Sequence, residues 1–404
     1  MAHVLPDSLA PAAETSTRGI MYAAFCVVIV LQHAYLFTFN EMPGLRLPLS
    51  SALAGMHVVL AAVTILLRPA PWNMALLLAA AALVLAIVPP HFMGAGEVAG
   101  FDPVMALRKL VLPLMMIWVL AYPLALPRSL LGWSAAIGTI LCAYVAFTGP
   151  TIYMGYANTD PRLAAFTGGA DHIHPSAKYM ALQLVLFDLL RRGGFMSPRL
   201  AWPLMALTLV VLLGYGGRNQ LVFIAVYYLV LAYYRLRRLT IVRWSPPLLL
   251  ALAICAGVIA LQIGQDTSDW GSGRIGAWDY RLQILQNRDL VTLLFGGGLG
   301  ADTIWTPQWA FGDDGLTAHN DYLHYMMEHG ILGLLFMALV VFGLWVRVFE
   351  EGRAIIVAIL VNSFVSNGYL QSPLLSTSLV LVLALSITVS LTRAETIATA
   401  DRER

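Results

Sequence analysis

Apolar residues fall in a series of runs, each about 15 to 22 residues long, separated by short polar or glycine- and proline-containing joints. Runs of that length read as membrane-spanning helices. They lie at about 20–39, 50–67, 72–89, 104–122, 129–147, 177–190, 200–214, 220–234, 246–263, 322–346, 354–370 and 374–391. The pattern predicts an all-α polytopic membrane protein of about twelve transmembrane helices, one integral membrane domain over 1–404, with both termini on one side. Two connections are too long and too polar to span, about 148–176 and 264–321. A connection as long as the second is usually functional in a compact architecture. Within it, 279–287 has the pattern of a helix lying on the membrane surface.

Composition agrees with this pattern. Of the 404 residues, 59% are hydrophobic and 11% are charged, against about one quarter charged in a soluble domain. The net charge of +2 excludes nothing by itself; where the charges fall is more telling. Fifteen of the 24 lysines and arginines lie in connections on the side of the termini, densest at 191–199 and 235–243. Short loops rich in Arg mark the cytoplasmic side, so the termini are expected there. The polar first residues, Met1 to Thr17, lack a basic region followed by a small-residue cleavage site and read as a short tail. Cys26, Cys142 and Cys255 each lie in an apolar run, without disulfide or metal-site spacing.

The other nine cations, Arg46, Arg108, Lys109, Arg162, Lys178, Arg218, Arg274, Arg281 and Arg288, fall on the outer side or at its membrane edge. Arg218 follows Gly214-Tyr215-Gly216-Gly217 in a tight turn between two helices. An arginine at such a boundary either snorkels to headgroups or clamps an anion, because guanidinium matches phosphate bidentately and keeps its charge. Arg274 is flanked by glycines, while Arg281 and Arg288 are equally readable as solvated loop charges.

The long outer connection ends in Ala318-His319-Asn320-Asp321-Tyr322-Leu323-His324, followed by an apolar run from Leu332 to Val346. Asn320 or Asp321 is the expected N-cap, and Asp321 places a carboxylate where the helix dipole favours it. His319 at this mouth is the candidate general base. The helix N-terminus and nearby arginines disfavour the imidazolium, leaving a neutral imidazole able to take a proton. His324 and His329 read as packing or interface residues. Asp171-His172-x-His174 and Asp313-Asp314 are weak as metal sites, and no Asp-x-Asp occurs. No metal and no cofactor is expected.

The spacing His319-Asn320, nine residues, Gly330-x-x-Gly333 resembles the signature of bacterial O-antigen ligases and their relatives, the O-antigen polymerases. Arg281 and Leu285 match that family's Arg-x3-Leu element, and Arg218 matches in position its arginine before the large loop. The family also implies a loop arginine, which Arg274 or Arg281 would supply. The resemblance is sharp over 214–335 and architectural elsewhere. It implies a metal-independent glycosyltransferase of GT-C type in the bacterial inner membrane, with 264–321 as a large periplasmic loop carrying part of the active site. The donor would be O-antigen on undecaprenyl diphosphate, and the acceptor a sugar hydroxyl of the lipid A core. His319 would be the base, with Arg162, Arg218, Arg274, Arg281, Arg288 and Asn320 binding substrate. Partners would then be these two substrates and membrane lipids, with no nucleic acid. An O-antigen polymerase or O-linked oligosaccharyltransferase would use the same donor. A transporter of an anionic lipid is a different class, disfavoured because the unusual charges gather on one side and not at a midplane.

Overall fold

The computed structural model describes residues 11–41, 48–49, 51–53, 55–56, 123–154, 160–164, 173–236, 274–298, 300–304, 319–364 and 373–402. The expected spans at 72–89, 104–122 and 246–263, most of that at 50–67, and the pair Asp313-Asp314 lie outside these residues. What is described is mostly helical. α1 covers Pro11–Glu41, α2 Arg128–Thr148, α3 Ile173–Arg192, α4 Pro198–Gly214 and α5 Arg218–Leu236. α6 covers Arg274–Gln286, α7 Leu290–Phe295, α8 Asp321–Arg347, α9 Glu350–Asn362 and α10 Pro373–Arg402. Two short strands, β1 (Ile152–Met154) and β2 (Asp160–Arg162), pair antiparallel with Ile152 opposite Arg162.

Among the described residues, five helical stretches are long and apolar enough to cross a membrane: Arg18–Leu36, Arg128–Thr148, Asn219–Leu236, Asp321–Arg347 and Leu374–Thr396. α4 is apolar but shorter. α3 is the interior helix. Its residues from Ser176 to Leu190 are all buried, including Lys178, Gln183 and Asp188, and it packs on α4 and α10. A helix buried on every side along this length sits in the centre of the bundle. On α2, by contrast, Trp133, Ile137, Ile140 and Tyr144 are exposed, as suits a surface facing lipid tails.

Two helix ends depart from the apolar pattern. α9 begins at Glu350, earlier than the expected 354, and gives way at Asn362 to a turn over Ser363 and Phe364. Its first turn holds the buried Glu351, which accepts from Arg393 (2.8 Å) and Ser390 (3.0 Å) of α10. α10 runs past the expected 391 to Arg402, because residues such as Ala394 and Glu395 favour helix though they are not membrane-seeking.

α9 also sets two ends of the bundle. Glu351 lies by the C-terminal part of α10, where a Cβ on Gly193 would touch Val389 and Thr388 donates to the Pro123 carbonyl (2.9 Å). Asn362 and Ser363 lie by the first residues of α5 and α8. Thirteen helical residues separate these ends by roughly 20 Å.

Candidate active site

Of the two expected N-cap candidates, Asn320 and Asp321, it is Asn320 that caps α8. Its side chain accepts from the amides of Tyr322 (3.0 Å) and Leu323 (3.1 Å). Just before it, His319 has φ 49°, and among the described residues it is the one non-glycine in the left-handed region. That conformation is uncommon for a side chain with a Cβ and is often held at functional sites. His319 is half-buried there, at the mouth.

Three helix ends meet here. The Asp321 amide donates to the Ser363 carbonyl (2.9 Å), and the Ser363 hydroxyl donates to the Asp321 carboxylate (2.7 Å). The Tyr322 hydroxyl donates to the Leu360 carbonyl (2.8 Å). The neighbouring Asn362 amide donates to the Asn219 carbonyl (2.5 Å), one residue from Arg218. The end of α9 therefore fastens the start of α5 to the start of α8, and Arg218 and His319 stand at the two ends of that fastening. The 214–217 turn before Arg218 is also fixed. Leu163 donates to the Gly214 carbonyl (3.0 Å) and Arg162 Nη1 to the Tyr215 carbonyl (2.9 Å). Gly216 has φ 62°, and a Cβ there would run into the Arg162 guanidinium. Arg162 thus joins the mouth by way of the β1–β2 hairpin.

One turn further into α8 the character changes. Arg281 on α6 is 1% exposed, its Nε 2.5 Å from Asp302 Oδ1 and its Nη2 2.8 Å from the Asp302 carbonyl. His324 Nδ1 lies 2.9 Å from the other oxygen of Asp302, and its Nε2 lies 3.1 Å from Glu328. Glu328 also accepts the Gly300 amide (2.9 Å). Arg281 and Leu285 are one helical turn apart and both buried, which gives the Arg-x3-Leu spacing its physical content: the two face inward together. The helix expected over 279–287 starts earlier, at Arg274, and is anchored by this face.

α8 is broken at Gly330, which has φ 65° and ψ −163°. Only glycine holds that conformation readily, and a Cβ would overlap the Leu294 carbonyl and the Gly296 amide. The break frees carbonyls just before it, and buried carbonyls need donors. The loop after α7 supplies them. Gly297 donates to Met327 (2.9 Å), Gly298 donates to Glu328 (3.0 Å), and Arg288 Nη1 also reaches the Met327 carbonyl (2.9 Å). Burial pulls the Arg288 guanidinium below its ordinary pKa, with the charges of Asp289 and Asp302 acting the other way. Gly333 completes the break, since a Cβ there would meet that of His329.

Of the residues singled out in the sequence, the structure gathers His319, Asn320, Arg162 and the backbone of Arg218 at the mouth. Arg281 and Arg288 lie in the layer beneath it, occupied with Asp302 and Met327. Arg274 opens α6; its side chain and that of Arg218 lie outside the described residues. No cluster of His, Cys, Asp and Glu suited to a metal ion occurs among the described residues. Sequence reasoning passed over Asp302, Glu328, Asn362 and Ser363. His324 and Glu328 carried a signal, being ionisable residues four apart on a helix otherwise entering the bilayer; Ser363 and Asn362 carried none.

No curated protein matches the chain. Residues 203–338, which run from Pro203 in α4 through the mouth to Ala338 beyond the break in α8, match the family model described as O-antigen ligase.

Proposed function

We propose that the chain is an O-antigen ligase in the strict sense. It transfers an O-antigen polysaccharide from undecaprenyl diphosphate to a sugar hydroxyl of the lipid A core, at the periplasmic face of the bacterial inner membrane. The observation that supports this reading best is the fastening of Arg218 and His319 through Asn362 and Ser363. It joins the start of α5, which carries Arg218, to the start of α8, which His319 precedes, and this reaction needs a cation and a proton acceptor close together.

The reaction is a single displacement. The acceptor hydroxyl oxygen attacks the anomeric carbon of the donor while His319 takes its proton. The bond from that carbon to the phosphate oxygen breaks, the configuration inverts, and undecaprenyl diphosphate leaves as the anion. Arg218, with Arg274 and Arg162, stabilises the charge that develops on the diphosphate; guanidinium does this without a metal. Its polyprenyl tail keeps the diphosphate at headgroup depth, where the α5 start lies. Asn320 sets the direction of His319 by fixing the helix start. Arg281 and Arg288 act as positioning residues, because their donors hold Asp302 and Met327. The membrane domain is read as a GT-C-type scaffold, with cytoplasmic termini and the 264–321 loop outside.

The test combines purified protein with lipid-linked O-antigen and rough lipopolysaccharide, with and without EDTA, and resolves the products on a gel. A ladder appearing on the lipid A core, unchanged by EDTA, is the expected result. Elongation of the lipid-linked chain alone would assign a polymerase instead, and loss of product on chelation, restored by Mg²⁺ or Mn²⁺, would overturn the metal-free mechanism.

A further inference from the structure

At the opposite end of the bundle from the mouth, α1 and α2 each begin an apolar stretch with an arginine, at Arg18 and Arg128. Between them lies an open groove of about 320 Å³, lined by Arg18 and Tyr22 of α1, Arg128 and Ser129 of α2, and the turn from Leu124 to Pro127. Both guanidinium groups are held in place. Arg18 Nη2 lies 3.4 Å from the Leu124 carbonyl, and Arg128 stacks over the Phe195 ring with 4.4 Å to its centre. Ser129 adds a hydroxyl. Among the described residues none of those lining the groove is acidic. α2 starts at this wall with no side-chain cap, so its first amides add a partial positive charge beside the two arginines.

The surface continuing from the groove is apolar. Leu130, Trp133, Ile137, Ile140 and Tyr144 form an exposed face along α2. A ligand for the whole feature needs a small anionic head and a long apolar body. Free phosphate has the first without the second. A zwitterionic lipid would bring an ammonium group against two arginines, with no carboxylate in the lining to receive it.

We propose that this groove binds an anionic phospholipid, with its phosphodiester between Arg18 and Arg128 and an acyl chain along the exposed face of α2. Guanidinium pairs bind phosphate oxygens bidentately, and a basic residue near an anionic membrane surface is worth about fivefold in binding. Two arginines together therefore give a preference of roughly 25-fold. The site is separate from the transfer chemistry, and its failure would leave the proposed function untouched.

The experiment is native mass spectrometry of the full chain in neutral detergent. The probes are phosphatidylglycerol, phosphatidylcholine and water-soluble glycerol 1-phosphate. Wild type is expected to retain phosphatidylglycerol over phosphatidylcholine, and Arg18→Gln with Arg128→Gln to lose that preference. If the double variant does not fold, the two single variants each read a loss of about fivefold. Arg18→Lys with Arg128→Lys keeps the charge and should lose only part. Equal retention of the two lipids by wild type would overturn the proposal, as would an unchanged preference in the glutamine variants. Displacement of phosphatidylglycerol by equimolar glycerol 1-phosphate would assign the groove to a soluble phosphate ester instead.

Discussion

At the start of α8, polar groups join three helices beside the half-buried His319. One turn further in, Arg281, Asp302, His324 and Glu328 bind one another out of solvent. The two regions hold the same residue types, a few residues apart in sequence, and differ in where their charges go. In the inner layer each charge is matched within the protein, so its contribution is to structure. At the mouth the hydrogen bonds are made mostly by capping and main-chain groups, which fix the backbone on which Arg218 and His319 sit. Charge in a membrane protein is thus a poor guide to chemistry until its partners are known: Arg281 and Arg218 look alike in the chain and stand in different layers.

That contrast can be broken by experiment, because substitutions of His319 and Arg218 should change turnover at constant stability and inner-layer substitutions the reverse. The largest effect is expected from His319→Ala, which should remove transfer, a loss of at least the order of 10²–10⁴ typical of a general base, while insertion and thermal midpoint stay as in wild type. Near-normal product from this variant would remove His319 as the base. Next is Arg281→Gln. It leaves Asp302 buried without its charged partner, a loss of about 3–5 kcal/mol, readable as a lowered unfolding midpoint in detergent; a midpoint that does not move would mean that the pair is not holding α6 to α8.

Arg218→Lys should come third. It keeps the charge but loses the planar fork, costing about 2–4 kcal/mol in the transition state, or 10²–10³ in rate. Undecaprenyl diphosphate should compete less well against this variant, and unaltered competition and turnover would make snorkelling the better account of Arg218. The smallest is Ser363→Ala, which removes one hydrogen bond to the Asp321 carboxylate. A cost of about 1.5 kcal/mol is expected, and because this bond ties α9 to α8 it should appear in turnover as well as in stability. An effect on stability alone would show that the α9 end does not position the mouth.

Much of this was legible in the sequence. Periodic apolar runs placed α2, α4, α5 and the body of α8 within about two residues, because hydropathy dominates where a helix meets lipid. A cap at Asn320 or Asp321 followed from their position before an apolar run, and the hydrogen bonds to Tyr322 and Leu323 select Asn320. The break at Gly330 was not legible. A single glycine in an apolar run is compatible with a continuous helix, and the reason for its φ lies in Gly296, thirty-four residues earlier, against which it packs. The burial of Arg281 was hidden for the same reason: its counterion Asp302 lies in a different local pattern. Contacts between distant segments, and not local propensity, decided both.

The break at Gly330 also has a consequence for biogenesis. The first half of α8 carries Asp321, His324 and Glu328, which are costly in a bilayer without partners. Partners of His324, Glu328 and the opened carbonyls precede α8 in the chain: Arg288, Gly297 and Gly298 donate to the opened carbonyls, Gly300 donates to the Glu328 carboxylate, and Asp302 pairs with His324. They leave the ribosome first, and domains assemble from the N-terminal side during synthesis. The inner layer can therefore close as α8 emerges. Asn362 and Ser363 come later, so a chain released before α9 has an anchored α8 but no fastening to Asn219, and its mouth is left unassembled.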